Sequence, residues 1–196
     1  VWEAGKIALR YYQSRIEIET KPDFSPVTIA DRETERALRQ WIAARFPGHA
    51  VLGEEYGEQG AAAASHRWII DPIDGTKTFV RGVPMFGVLL GLERDGRAVA
   101  GAVAFPALGE VVAAAEGEGC QWNGRRARVS ETARLGEALL LYTDAAHFPA
   151  EGRERPFERL RKATRLQRSW GDCYGHCLVA TGRAEIMLDA SIKIGR

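Results

Sequence analysis

Two short apolar runs, Ala50-Val51-Leu52 and Trp68-Ile69-Ile70, end in acidic residues, and this constrains the chain more than any other feature. The first leads into Gly53-Glu54-Glu55 and the second into Asp71-Pro72-Ile73-Asp74-Gly75-Thr76. Apolar runs of this length beside Gly and Pro read as strands. Strands that end in carboxylates can meet at one edge of a sheet, where α/β folds bind ligands. Pro72 and Gly75 read as a turn after the second strand, with Thr76 standing where a helix would begin. Carboxylates gathered at such a place repel one another unless cations lie between them. A helix start beside them offers free backbone N–H groups to an anion. Asp31, near the start of another predicted helix, is a further acidic candidate. The competing reading is a plain surface turn, since Asp, Pro and Gly are common turn residues.

Composition excludes several classes. The 196 residues are 45% hydrophobic and 27% charged with a formal net charge of +1, which suits one domain or two closely packed lobes and gives no reason to expect nucleic acid or an anionic membrane as partner. No apolar run is long enough to span a bilayer, and no secretory signal follows Val1. Cys120, Cys173 and Cys177 are sparse and odd in number, as expected in a reducing cytoplasm. Residues 153–168 carry many Arg and Lys, but Glu151, Glu154 and Glu158 interleave with them and no aromatic pattern for base stacking accompanies them. A solvated helix with i,i+4 ion pairs is the expectation there.

The remaining pattern predicts helices over residues 2–13 and 31–46, the second capped by Thr28 with Leu38, Trp41, Ile42 and Phe46 on its buried side. Residues 58–65 read as a mobile connector or a brief helix. Strands follow at 87–93, 98–105, 110–115 and 119–122, joined by turns that include Asp95-Gly96, a good hairpin signal. This predicts an antiparallel sheet backing the acidic site. After Glu137, strands at 138–142, 164–167 and 184–188 alternate with helices at 153–162 and 171–180, which predicts a second α/β lobe. The division is expected between residues 1–130 and 131–196. His49, His66 and His147 are expected to face solvent, and Cys173 and Cys177 to be buried thiols on a helix rather than ligands with His176.

The ordered set Lys21-x-Asp23-x-Ser25-Pro26-Val27-Thr28-x-Ala30-Asp31, then Gly53-Glu54-Glu55, then the stretch from Trp68 to Thr76 resembles the inositol monophosphatase superfamily of metal-dependent, lithium-sensitive phosphatases. The resemblance covers essentially the whole chain. It implies an α/β (α+β) fold, a layered α-β-α-β-α sandwich of the inositol monophosphatase and fructose-1,6-bisphosphatase type, with the site between two lobes. It implies a small-molecule phosphate ester as substrate, two or three Mg2+ ions and a homodimer.

Carried over position by position, Glu54, Asp71 and the carbonyl of Ile73 resemble the ligands of a first metal, with Asp71 bridging to a second that Asp74 also holds. Asp31 and Thr76 resemble the pair that orients and deprotonates the attacking water. The amides of Gly75 and Thr76 would bind phosphate oxygens. Glu55 resembles an outer residue or a water-mediated ligand of a weak third metal, and Lys21 a neutraliser of the carboxylates. Phosphate monoesters are inert in water, and paired divalent ions on oxygen ligands suit their hydrolysis.

One departure stands out. The family places a Trp-Asp pair shortly after the last strand, and here its positions fall at Gly195 and Arg196. Arginine cannot ligate a cation. The expectation is that C-terminal structure, with that aspartate, lies beyond Arg196; a catalytically silent scaffold or regulator is the alternative. The string Gly171-Asp172-Cys173-Tyr174-Gly175 resembles the histidinol-phosphate phosphatase branch. Asp189 stands where the family uses an acidic residue to contact substrate hydroxyls, so the resemblance makes it, with Asp172, an expected substrate contact; two carboxylates there would favour a cationic ester such as histidinol phosphate over a neutral polyol. Asp172 as a helix cap is the plainer reading, and inositol-1-phosphate is the second candidate substrate.

Overall fold

The computed structural model describes residues 1–22, 26–61 and 63–191, so Asp23 and Ser25 of the first motif and the positions of the expected Trp-Asp pair lie outside the described residues. The chain divides into two compact units, Val1–Arg125 and Arg126–Arg196.

The first unit contains α1 (Trp2–Tyr11), β1 (Glu19–Thr20), β2 (Pro26–Val27), α2 (Ile29–Arg45), β3 (Ala50–Gly53), β4 (Gly57–Gln59), β5 (His66–Asp74), α3 (Thr76–Val80), β6 (Gly87–Arg94), β7 (Arg97–Phe105), β8 (Glu110–Ala115) and β9 (Gly119–Trp122), and the chain leaves it through β10 (Arg125–Ala127). The main sheet runs β10-β9-β8-β7-β6-β5-β3-β4. Within it, β3 and β5 are parallel while β5 to β9 form an antiparallel meander. Asp95 and Gly96 both take positive φ, 51° and 76°, which is what a two-residue hairpin requires.

Thr28 begins α2 as expected. Its hydroxyl accepts from Ala30 N, and the Asp31 carboxylate reaches back to the Thr28 amide, so two orphan donors of the first turn are satisfied. Leu38 and Ile42 of α2 then pack with Ala4 of α1 against Val51, Ile70 and Val88 of the sheet. This cluster places the start of α2 beside the ends of β3 and β5.

Three expectations need correcting. The connector or helix expected over residues 58–65 is a strand at its start, since Gly57–Gln59 form β4, an antiparallel partner of β3. Ladder hydrogen bonds to β3 stabilise this segment, and an exposed edge strand of three polar or glycine residues carries no hydrophobic alternation to reveal it. The stretch at Asp71-Pro72-Ile73-Asp74 is no turn, because β5 runs through it to Asp74. His49 and His66 are not separately solvent-facing. Their rings stack at 4.6 Å, and Trp68 Nε1 donates to His49 Nδ1 at 3.0 Å.

The second unit contains β11 (Leu139–Tyr142), α4 (His147–Ala150), α5 (Glu154–Ala163), β12 (Leu166–Arg168), α6 (Asp172–Ala180) and β13 (Ile186–Leu188). Its sheet is parallel in the order β12-β11-β13. Adjacent residues of a strand face opposite ways, so Leu140 packs with Phe148 and Phe157 while Leu141 packs with Leu178 and Ala184. On α5, Glu158 pairs with Arg161 at i,i+3 spacing rather than the expected i,i+4, and both spacings put the two side chains on one helix face. Cys173 and Cys177 are buried on α6. Among the described residues no helix is long and apolar enough to cross a membrane.

Candidate metal and phosphate site

Parallel pairing sets one half of the site. Gly53 lies opposite Ile70, and Glu54 N donates to Ile70 O at 3.2 Å, so the residues that follow, Glu54 and Asp71, come side by side. A bulge sets the other half. From Asp71 opposite Leu89 to Asp74 opposite Gly87, β5 advances three residues while β6 advances two. In a regular strand, side chains three apart point to opposite faces. The extra residue cancels that inversion and brings both carboxylates toward one side. Pro72 suits the bulge because it has no N–H to lose from the ladder.

The electrostatics follow from that convergence. The Asp71 carboxyl is held well above the usual carboxylate range, first by its enclosure and then by the charges of Asp74 and Glu54, with Glu54 as hydrogen-bond partner and Asp31 adding to the field. Its Oδ1 is shut off from solvent and has no hydrogen-bond partner among the described residues. Burial also raises the Asp31 carboxyl, against the opposing hydrogen bonds from Thr28. Those bonds run to Asp31 Oδ2 from Thr28 N at 2.8 Å and from Thr28 Oγ1 at 2.7 Å.

Lys21 stands among these charges. Its Nζ donates to Glu54 Oε1 at 2.7 Å and to Glu55 Oε1 at 2.6 Å. Burial alone would lower the Lys21 ammonium, but the two glutamates raise it above its ordinary value. The Glu55 carboxyl is raised by burial in spite of Lys21.

Gly75 takes φ 82° and ψ 39°, a left-handed conformation suited to glycine, and turns the chain from β5 into α3. Thr76, the first residue of α3, donates from Oγ1 to Ile73 O at 2.9 Å. That carbonyl retains a second lone pair. Among the described residues no hydrogen bond joins Asp31 to Thr76; each side chain bonds within its own segment.

A hard divalent ion fits this donor set by type, since it comprises carboxylates and a carbonyl. The stranded Asp71 oxygen is an acceptor in need of a positive partner. Among the described residues no three His, Cys, Asp or Glu side chains already close into a cage for an ion, so the fit rests on donor chemistry and on that oxygen.

In the second unit, Asp189 Oδ1 accepts from Thr143 Oγ1 at 2.7 Å, and its Oδ2 lies 2.8 Å from His176 Nε2. The His176 hydrogen bond leads in holding the Asp189 carboxyl below its ordinary value. Asp172 begins α6 with φ 53°, and its amide donates to Thr143 Oγ1 at 3.0 Å. The cap position of α6 belongs to Gly171, not to Asp172. Thr143 thus links the two aspartates. Sequence reading missed it because a threonine after a strand has no pattern of its own.

Glu35 was also missed, although a signal existed. Asp31, Glu35, Leu38 and Ile42 recur at helical spacing and all four are buried. A carboxylate inside an apolar stripe needs a polar partner. A Cβ added at Gly53 would fall on the Glu35 carboxylate. We expect Gly53→Ala to cost about 1–3 kcal/mol of stability by overpacking, as read from urea unfolding.

The chain belongs to the inositol monophosphatase family, whose model matches residues 1–194. It is 43% identical over 188 residues to a histidinol-phosphatase of Chlorobaculum parvum, covering 95% of this chain and 72% of that protein. A histidinol-phosphatase of Mycobacterium tuberculosis is 37% identical, over 95% of this chain and 73% of its own length. The solved inositol monophosphatase of Thermotoga maritima superposes with a TM-score of 0.83 at 34% identity, over 94% of this chain and 70% of that one. The fold is therefore the mixed α/β fold of inositol monophosphatases.

Proposed function

We propose that the protein hydrolyses a phosphate monoester with the help of bound Mg2+, and that the ester is histidinol phosphate. The observation that carries the hydrolase reading is the convergence of Glu54, Asp71 and Asp74, where burial and then the neighbouring charges raise the Asp71 carboxyl, and where its Oδ1 is unsatisfied among the described residues. Glu54, Asp71 and the Ile73 carbonyl would hold one ion, and Asp71 with Asp74 a second. Glu55 would stand behind them or reach a third through water. Bound there, such ions lower the pKa of water and stabilise the charge on a leaving oxygen.

The chain supplies the rest. Gly75 and Thr76 turn backbone N–H groups toward phosphate oxygens at the start of α3. Thr76 and Asp31 orient the attacking water and take up its proton, which requires the Thr76 hydroxyl to turn from Ile73 O. A raised carboxyl at Asp31 suits a proton acceptor, because a base works best with a pKa nearer the working pH. Lys21 keeps the glutamates from driving the cluster apart.

The choice of ester rests on similarity and on charge. The relatives from Chlorobaculum parvum and Mycobacterium tuberculosis are both histidinol-phosphatases. Asp172 and Asp189 would face the cationic groups of that substrate. Inositol-1-phosphate is the second reading, favoured by the likeness to the Thermotoga maritima enzyme. Three cysteines, sparse and odd in number, accord with a reducing compartment, and we infer a cytoplasmic enzyme.

The test compares phosphate release from histidinol phosphate, inositol-1-phosphate and fructose-1,6-bisphosphate on one preparation of the full-length protein. Histidinol phosphate is expected to give the highest kcat/KM, with lithium inhibiting all measurable turnover. Equal rates on the three esters would defeat the specificity reading and leave the hydrolase reading standing.

A further inference from the structure

The segment that carries Glu54 is gripped from behind. Glu35 is fully buried, at 0% exposure. Its Oε2 accepts from Glu55 N at 2.7 Å and its Oε1 from Tyr56 N at 3.2 Å. Arg39, one turn further along α2, donates from Nε to Glu35 Oε1 at 2.7 Å. The other end of the same guanidinium donates to Gly57 O and, at 3.3 Å, to Gln59 Oε1. One glutamate and one arginine therefore hold the backbone from Glu55 to Gly57 and the edge strand beyond it.

Resting on the hydrolase reading above, we propose that Glu35, anchored by Arg39, is a positioning residue for the ion-holding site. It fixes the amides that follow Glu54, so that the Glu54 carboxylate stays beside Asp71 when an ion enters. Two features make this specific to Glu35. A carboxylate with both oxygens engaged by backbone N–H groups and an arginine has one orientation. Gly53, next to Glu54, has no Cβ, and that absence makes room for Glu35 to reach those amides. A glutamine at position 35 would turn an NH2 group toward an N–H or the guanidinium, and one backbone donor would lose its acceptor. Groups that orient metal ligands commonly change ion affinity roughly ten- to a hundredfold when altered.

The experiment titrates Mg2+ alone, by calorimetry, into the full-length wild type, Glu35→Gln and Arg39→Lys, with thermal unfolding of each followed by circular dichroism. Glu35→Gln is expected to weaken Mg2+ binding roughly ten- to a hundredfold while still unfolding cooperatively. Arg39→Lys keeps a cation beside Glu35 but loses the forked contact, and a smaller weakening is expected. In turnover, the Mg2+ concentration for half-maximal rate should rise while kcat at saturating Mg2+ largely recovers. A merely structural role would instead lower kcat at every Mg2+ concentration and leave the half-maximal point alone. Equal Mg2+ affinity in folded Glu35→Gln and wild type overturns the proposal. If Glu35→Gln does not fold, Arg39→Lys decides by the same comparison. Absence of Mg2+ binding by the wild type would instead overturn the hydrolase reading on which the proposal rests.

Discussion

Asp71→Asn in the full-length protein is expected to lower phosphate release by about a thousandfold or more, and the folded state without divalent ions is expected to stand firm. The loss follows from position. Asp71 is the residue that both Glu54 and Asp74 approach, and in the proposed arrangement it touches both ions. Metal-borne charge stabilisation supplies several kcal/mol of barrier reduction, and each 1.36 kcal/mol is a factor of ten, so about 4 kcal/mol gives the expected drop. Stability moves the other way. The Asp71 carboxyl lies above its unfolded value because enclosure and two neighbouring carboxylates disfavour its charge. An acid raised on folding binds more protons in the native state, so it costs stability as pH rises past the unfolded value. Asparagine removes that cost. At neutral pH and without Mg2+, the variant should therefore unfold at the same or a higher urea concentration than wild type, and Asp74→Asn should share the loss of turnover. An Asp71→Asn protein that was inactive only because it was unfolded would sink this account of the residue.

The second large effect concerns substrate choice. The Asp172→Asn, Asp189→Asn double variant should reduce kcat/KM for histidinol phosphate by about ten- to a hundredfold, the worth of a charge-assisted hydrogen bond of about 1.5–3 kcal/mol. Inositol-1-phosphate, which carries no cation, should suffer less, so the ratio of the two kcat/KM values narrows. The Asp189 carboxyl is held below its ordinary value, chiefly by His176 and with help from Thr143, and is ionised at neutral pH. His176 is its present partner, at 2.8 Å, and a cationic substrate would take over or share that contact. Equal losses on both esters would show that the aspartates support the unit without selecting the ligand.

Much of this was legible from the residues. Apolar runs bounded by Gly, Pro and the Asp95-Gly96 pair placed the meander β6 to β9, because each strand and that two-residue turn are local signals. Thr28 with Asp31 marked the start of α2 for the same reason. The chain also showed which carboxylates follow which strands. It did not show how residues at 71 and 74, on opposite faces of an ordinary strand, come to face one another. That takes the slip of β5 against β6, a property of the pair that neither strand states alone. Glu35 was hidden because a charged residue in a helix reads as solvated until its partners, the amides of Glu55 and Tyr56, are placed across 20 positions of sequence or more. Thr143 was hidden likewise, since its bond to Asp189 joins residues 46 positions apart. The stacking of His49 on His66 is a contact between the ends of two neighbouring strands, and isolated histidines carry no sign of it.

The most direct test of the central claim is a Mg2+ titration of phosphate release from histidinol phosphate, begun on full-length protein stripped with a chelator. Release should be absent at the start, return with added Mg2+ in the wild type, and fail to return in Asp71→Asn. Undiminished release by the wild type in the presence of the chelator would contradict the claim.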